Sequence, residues 1–117
     1  MDQMTAMLLE CVHDLRRTDA PLVCRQVPVP RPGDHEILIR VTACGVCHTE
    51  LDEIEGRTPP PKFPVVPGHE VVGRVAGMGA GALRFSSGQR VGVAWINRAC
   101  GSCSFCREGL ENLCPEF

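Results

Sequence analysis

From Glu36 to Ala43 apolar and polar side chains alternate along the chain: Ile37, Ile39, Val41 and Ala43 fall on one face, Glu36, Arg40 and Thr42 on the other. A two-residue period is that of a strand with one face covered and one face wet. Weaker forms of the pattern predict strands over Met4–Glu10, Leu22–Val27, Val65–Ala76 and Arg90–Ile96, each bounded by Pro, Gly or Asp. Between Val46 and Gly56 the period turns helical, with Cys47, Leu51 and Ile54 recurring on one side. Thr49 and Asp52 stand in the relation of a capping box, and Gly56 supplies the stop. Prolines at 59, 60, 61, 64 and 67 stiffen the loop leading into the next strand. The expected fold is mainly β, a small barrel or sandwich with one short helix. From Ala99 to Pro115 the apolar pattern gives way to cysteine, glycine and polar residues, so something other than apolar burial must hold that stretch.

Composition narrows the function. A chain of 117 residues has room for one modest core, and 44% hydrophobic with 22% charged residues reads as globular. No apolar run approaches the roughly 18 residues of a membrane span, so no membrane association is expected. A formal net charge of -2 offers no broad basic surface, which excludes nucleic acid as a partner. The start, Met1-Asp2-Gln3-Met4, lacks the basic residues and apolar stretch of a secretory signal, predicting a cytoplasmic protein. In a reducing compartment, eight cysteines point to metal ligands or redox groups rather than disulfides.

Cys100, Cys103, Cys106 and Cys114 form a series with gaps of two, two and seven residues. Two-residue spacers let a turn aim neighbouring sulfurs at one point, and Gly101 and Gly109 permit tight bends. Four thiolates suit a tetrahedral Zn2+ that has no open position and is therefore structural. An iron-sulfur cluster is the rival, since ferredoxin-type runs also begin with two-residue gaps, but they have about three residues before the last cysteine. Chemistry must then reside elsewhere. Cys47 at the start of the helix and His69 on the strand after the proline loop are both possible zinc ligands.

The surrounding residues sharpen this pair. Ala43-Cys44-Gly45-Val46-Cys47-His48-Thr49-Glu50, then Pro67-Gly68-His69-Glu70-Val71-Val72-Gly73, then the cysteine lobe and Asn112-Leu113-Cys114-Pro115, stand in the order seen in zinc-dependent alcohol dehydrogenases of the medium-chain superfamily, which the chain resembles over nearly its whole length. The resemblance implies residues 1–117 to be a GroES-like, partly open β-barrel domain with a structural zinc lobe over 99–115. It implies one structural and one catalytic zinc, and oxidation of an alcohol to an aldehyde or ketone with hydride transfer to NAD or NADP. Cys47 and His69 match catalytic zinc ligands, and Glu70 matches a carboxylate that approaches the metal during ligand exchange. Glu50 matches an acidic residue that orients the ligand histidine, usually Asp in the family. Thr49 matches the hydroxyl that accepts the substrate proton, His48 a contact to the cofactor pyrophosphate, and Trp95 a pocket-lining position. The implied partners are a small alcohol or aldehyde and, for the full-length enzyme, further copies of itself.

Some features depart from that pattern or belong to none. Asp52 stands where the family often has a relay histidine, and also reads as a solvent-exposed cap carboxylate. The family's third catalytic ligand and its dinucleotide-binding domain lie beyond the cysteine lobe, so the 117 residues are expected to be a truncated form, inactive alone. Gly77-Met78-Gly79-Ala80-Gly81-Ala82 imitates a dinucleotide fingerprint, but no helix pattern follows it. Cys44 is expected to be a small buried residue rather than half of a redox dithiol, and Cys11, Cys24, His13 and His35 are assigned no role. Two readings from other classes stay open: a non-catalytic zinc-stabilised barrel acting as a binding module, and an iron-sulfur electron-transfer domain.

Overall fold

The structure, a computed structural model, describes residues 2–96 and 98–117. Alternation at the N-terminus produces β1 (Gln3–Leu8) and β2 (Val23–Pro28), which pair antiparallel from Gln3 opposite Pro28 to Leu8 opposite Val23. The strongest alternation produces β3 (Ile37–Gly45), the centre of the chain's pattern but an edge of its sheet: β4 (Glu70–Met78) pairs with β3 on one side and with β5 (Arg90–Val93) on the other, all antiparallel. The molecule is therefore mainly β, with open sheets, as expected. Leu9, fully buried, exchanges two backbone hydrogen bonds with Val65 (2.8 and 3.0 Å) and ties the first sheet to the proline loop.

Three strands differ in extent from the periodicity. The segment expected as one strand over Val65–Ala76 is split: Val65 makes only its bridge to Leu9, and β4 begins at Glu70. Pro67 has no N–H to give a ladder, and Gly68 takes a φ of 122° that no strand uses. His69 consequently sits on a bend one residue before β4 rather than on it. β5 stops at Val93, short of Ile96. In β3 the register shifts between Leu38 and Ile39 and between Val41 and Ala43, so the expected single covered face lasts only to Ile39; Val41 is 55% exposed and Ala43 is also exposed. Cys44, expected to be buried, is exposed, because nothing among the described residues covers either face of β3 over residues 40–44.

The helix α1 (His48–Glu55) forms where the 3.6-residue period lies and stops at Gly56. Its cap differs from the Thr49–Asp52 box. Cys47 is the N-cap, with extended backbone (φ -127°, ψ -171°); its Sγ accepts from the Thr49 N–H (3.3 Å), while the Glu50 carboxylate accepts from the Cys47 N–H (2.7 Å). Sulfur takes the place of the usual cap oxygen, and the box moves two residues towards the N-terminus. A short helix α2 (Ser104–Arg107) and a single 3-10 turn (Glu111–Leu113) follow in the cysteine lobe.

The core is thin. Among the described residues its buried apolar members are Ala6, Leu9, Ile54, Val75 and Cys114, and the Cα radius of gyration of 16.2 Å exceeds the roughly 13 Å of a compact domain this long. Among the described residues, no helix is long and apolar enough to cross a membrane. The glycine-rich run after β4 is a turn, without a following helix, and its tightest point is packing rather than phosphate: a Cβ on Gly79 would lie 1.7 Å from the Gly33 carbonyl oxygen. Gly79→Ala is expected to force these two loops apart and destabilise the protein by about 1–3 kcal/mol, measurable as a lowered midpoint in thermal unfolding.

Candidate metal centres

The lobe brings all four of its cysteines together: the sulfurs of Cys100, Cys103, Cys106 and Cys114 lie within 4.8 Å of one another, Cys100 and Cys106 at 4.0 Å. Bonds of about 2.3 Å to a tetrahedral ion would set sulfurs about 3.8 Å apart, so the donor set fits Zn2+. Gly101 (φ 75°) and Gly109 (φ 76°) make the bends. Backbone N–H groups point at the sulfurs: Ser102 and Cys103 to Cys100 (3.4 and 3.3 Å), Cys106 to Cys103 (3.4 Å), Cys100 and Glu116 to Cys114 (3.4 and 3.3 Å). Donors of this kind favour thiolate, and those from Ser102, with help from Cys103, bring the Cys100 pKa down to about 6. Burial pushes Cys106 up to about 12, and its Cys103, Cys114 and Cys100 neighbours add to the rise against the lowering N–H of Gly101. Crowded sulfurs that resist carrying four charges together are what a cation relieves. Outside the sulfurs, Arg98 and Glu116 close the two ends of the lobe with a 2.9 Å ion pair.

This geometry predicts thiol chemistry. All eight cysteines are free, and Cys11, Cys24 and Cys44 are exposed. A zinc-loaded preparation is expected to alkylate rapidly at those three, with the four lobe thiols joining only after a chelator is added, as read by mass spectrometry of the peptides.

The second centre forms where α1 meets the entry to β4. Cys47 Sγ lies 3.4 Å from Nε2 of His69. Two ligand atoms on one tetrahedral Zn2+, sulfur at about 2.3 Å and nitrogen at about 2.0–2.1 Å, are about 3.5 Å apart, so this pair fits a common ion. Glu50 stands behind the ring, Oε1 at 2.9 Å from Nδ1 of His69, and the three side chains form a potential metal group. Burial alone would raise the Glu50 pKa; the N–H groups of Cys47 and Glu50 and the nearby imidazole outweigh it and hold the carboxyl below its usual range. Glu50 is 6% exposed, and its Oε1, although 2.9 Å from Nδ1 of His69, makes no hydrogen bond among the described residues. A buried, ionised carboxylate in that position calls for positive charge on the imidazole side, a second sign that the donor set fits a cation.

The remaining predicted residues divide into two groups. Glu70 comes to 3.7 Å from His69 Nε2 on the side open to solvent, and Trp95 packs edge-on against the His69 ring with centroids 4.7 Å apart. Thr49 is held by its N–H to Cys47 Sγ, half-buried beside the pair. His48 instead turns away, its Nδ1 3.4 Å from Asp52, which also accepts from the Arg57 Nε at 2.5 Å. Asp52 is thus a mid-helix partner of His48 and Arg57, not a cap. The double use of Cys47 and Glu50, as cap pair and as site pair, is what sequence reasoning missed. Its signal was present: Cys47-x-x-Glu50 has capping-box spacing once sulfur is admitted as an acceptor.

Similarity agrees with this geometry. Residues 33–117 match the model of the alcohol dehydrogenase GroES-like domain family. An alcohol dehydrogenase of Rhizobium meliloti is 50% identical over 101 residues, 86% of this chain and 30% of the relative. Alcohol dehydrogenase 1 of Emericella nidulans is 42% identical over 112 residues, 95% of this chain and 32% of the relative. Among solved structures, the cobalt- and zinc-bound thermostable alcohol dehydrogenase from Pyrobaculum aerophilum superposes with a TM-score of 0.83 at 30% identity, covering 97% of this chain and 33% of that one. A zinc-binding dehydrogenase from Sinorhizobium meliloti bound to NADP gives 0.76 at 33% identity, covering 98% and 31%. The chain spans about a third of the length of these relatives. With its open antiparallel sheets, cysteine lobe and the matched 33–117 region, the chain belongs to the alcohol dehydrogenase GroES-like domain family.

Proposed function

We propose that this chain is the zinc-carrying catalytic portion of an NAD(P)-linked alcohol dehydrogenase, in which residues 1–117 form one GroES-like unit and 99–115 its structural zinc lobe. The observation that carries the reading is the Cys47–His69 pair at 3.4 Å with the Glu50 carboxylate at Nδ1 of the imidazole. Cys47 and His69 would hold the catalytic zinc, and Cys100, Cys103, Cys106 and Cys114 the structural one. Bound zinc supplies Lewis acidity towards an alcohol oxygen, and NAD(P) supplies the hydride acceptor.

The chain's own residues do the positioning. The Glu50 charge, 2.9 Å from Nδ1 of His69, favours a proton on that nitrogen electrostatically, so that the Nε2 lone pair faces the side of Cys47. Trp95 limits rotation of the same ring and presents its free edge as a pocket wall. Glu70, half in solvent, is a carboxylate within reach of the site from outside. Thr49 Oγ1 takes the substrate's hydroxyl proton and hands it outward; His48, exposed at the helix start, faces the phosphates of the cofactor. The substrate is a small alcohol or aldehyde, the setting cytoplasmic, and the assembled enzyme a homo-oligomer.

Cobalt substitution tests the reading. A nitrogen- and sulfur-ligated site open to solvent shifts its visible spectrum when imidazole or an alcohol is added, whereas a lone four-thiolate site does not. A spectrum indifferent to both additions would support the non-catalytic zinc-stabilised module instead, and iron with inorganic sulfide in the purified protein would return the electron-transfer reading.

A further inference from the structure

The register of the three-stranded sheet places Arg40 opposite Arg74, and Arg74 opposite Arg90. Directly opposed residues of antiparallel strands project from the same face, so three arginines stand in a row on one face of β3, β4 and β5, their Cα atoms spanning about 10 Å. All three are exposed. Like charges in directly opposed positions repel, and the chain has carboxylates to spare, 14 against 12 cations. Yet the arginine–carboxylate pairs among the described residues are made by Arg16, Arg25, Arg57 and Arg98; Arg40, Arg74 and Arg90 have none.

The row is also shaped. Arg74 Nη1 donates to the Gly88 carbonyl at 3.0 Å on the β4–β5 connection, and its other N–H groups make no hydrogen bond among the described residues. Beside it runs a groove of about 350 Å³ lined by Thr42, Ala43, Val72, Gly73, Arg74 and Arg90. A guanidinium fork matches two oxygens of one tetrahedral anion, and neighbouring forks a strand apart can share such a group. The place is separate from the Cys47–His69 centre: Arg74 lies five residues along β4 from His69, about 16 Å of extended chain.

We propose that Arg40, Arg74 and Arg90 form a binding site for a small divalent oxyanion of the sulfate or phosphate type, seated between the Arg74 and Arg90 forks with Arg40 as the third donor. The anion turns a repulsive row into a bridged one. The reading is independent of the dehydrogenase proposal.

Sodium sulfate titrated into the 15N-labelled, zinc-loaded chain tests it, with sodium chloride at equal ionic strength as the control; sulfate does not compete for zinc as a chelator would. The expected result is saturable movement of the Nε–Hε signals of Arg74 and Arg90 with sulfate and not with chloride. Arg74→Gln is expected to weaken sulfate binding by about tenfold. Arg90→Lys, which keeps the charge but loses the fork, should weaken it by less and guards against a misfolded first variant. Equal responses to sulfate and chloride, saturation at other residues, or unchanged binding in Arg74→Gln would each overturn the proposal.

Discussion

Cys103→Ser will release one zinc per chain and lower the thermal midpoint sharply. The lobe has almost no apolar burial: apart from Cys114, none of its residues is buried, and its helix α2 is four residues long. Structural zinc supplies roughly 10–16 kcal/mol of apparent binding free energy in small zinc peptides, comparable with the roughly 5–15 kcal/mol that stabilises a whole domain. Serine keeps the N-cap contact to Cys106 N–H but replaces a soft thiolate with a neutral hydroxyl, so the ion loses a ligand while the local turn keeps its hydrogen bond. Elemental analysis with calorimetry checks this. Unchanged zinc and unchanged melting would show that the four sulfurs do not share an ion.

In the dehydrogenase proposed above, His69→Ala should lower turnover by about 10³-fold or more, the equivalent of losing roughly 4 kcal/mol of electrostatic stabilisation in the transition state. The lobe should retain its zinc, because none of its ligands is touched. The milder Glu50→Gln keeps shape and volume and removes the charge behind Nδ1; metal affinity at Cys47 and His69 is expected to fall about 10–100-fold. Cobalt titration followed at the sulfur-to-metal absorption band, with kcat in parallel, separates the two effects. Retained activity in His69→Ala would place the catalytic metal elsewhere.

The parts of this architecture governed by local chemistry were legible in the sequence. Alternation located β3, the 3.6-residue period with Gly56 located α1, and the two-residue gaps marked Cys100, Cys103 and Cys106 for one point in space. What could not be read depends on partners distant along the chain. The register shifts between β3 and β4 arise from their pairing, and residues 40–44 stay exposed on both faces, so Val41 is exposed against the period. His69 leaves the strand because of the backbone at Pro67-Gly68, and the row of arginines exists only once the register is known. Glu50 was legible as an acidic neighbour of the ligand histidine through family likeness alone; its burial and its hold on the Cys47 N–H came with the fold.

The Leu9–Val65 bridge has a bearing on how the molecule breathes. Among the described residues, the backbone hydrogen bonds from the β1–β2 hairpin to the rest of the chain are that pair and, next in sequence, His13 N–H to the Ile54 carbonyl at the end of α1. Few hydrogen bonds and a thin core between two sheets favour opening in separate cooperative units rather than all at once. Amide exchange in the hairpin should therefore outpace that of β4, where Val75 is 3% exposed, and the stretch around Leu9 should be where a protease first gains entry while both clusters of metal donors remain assembled.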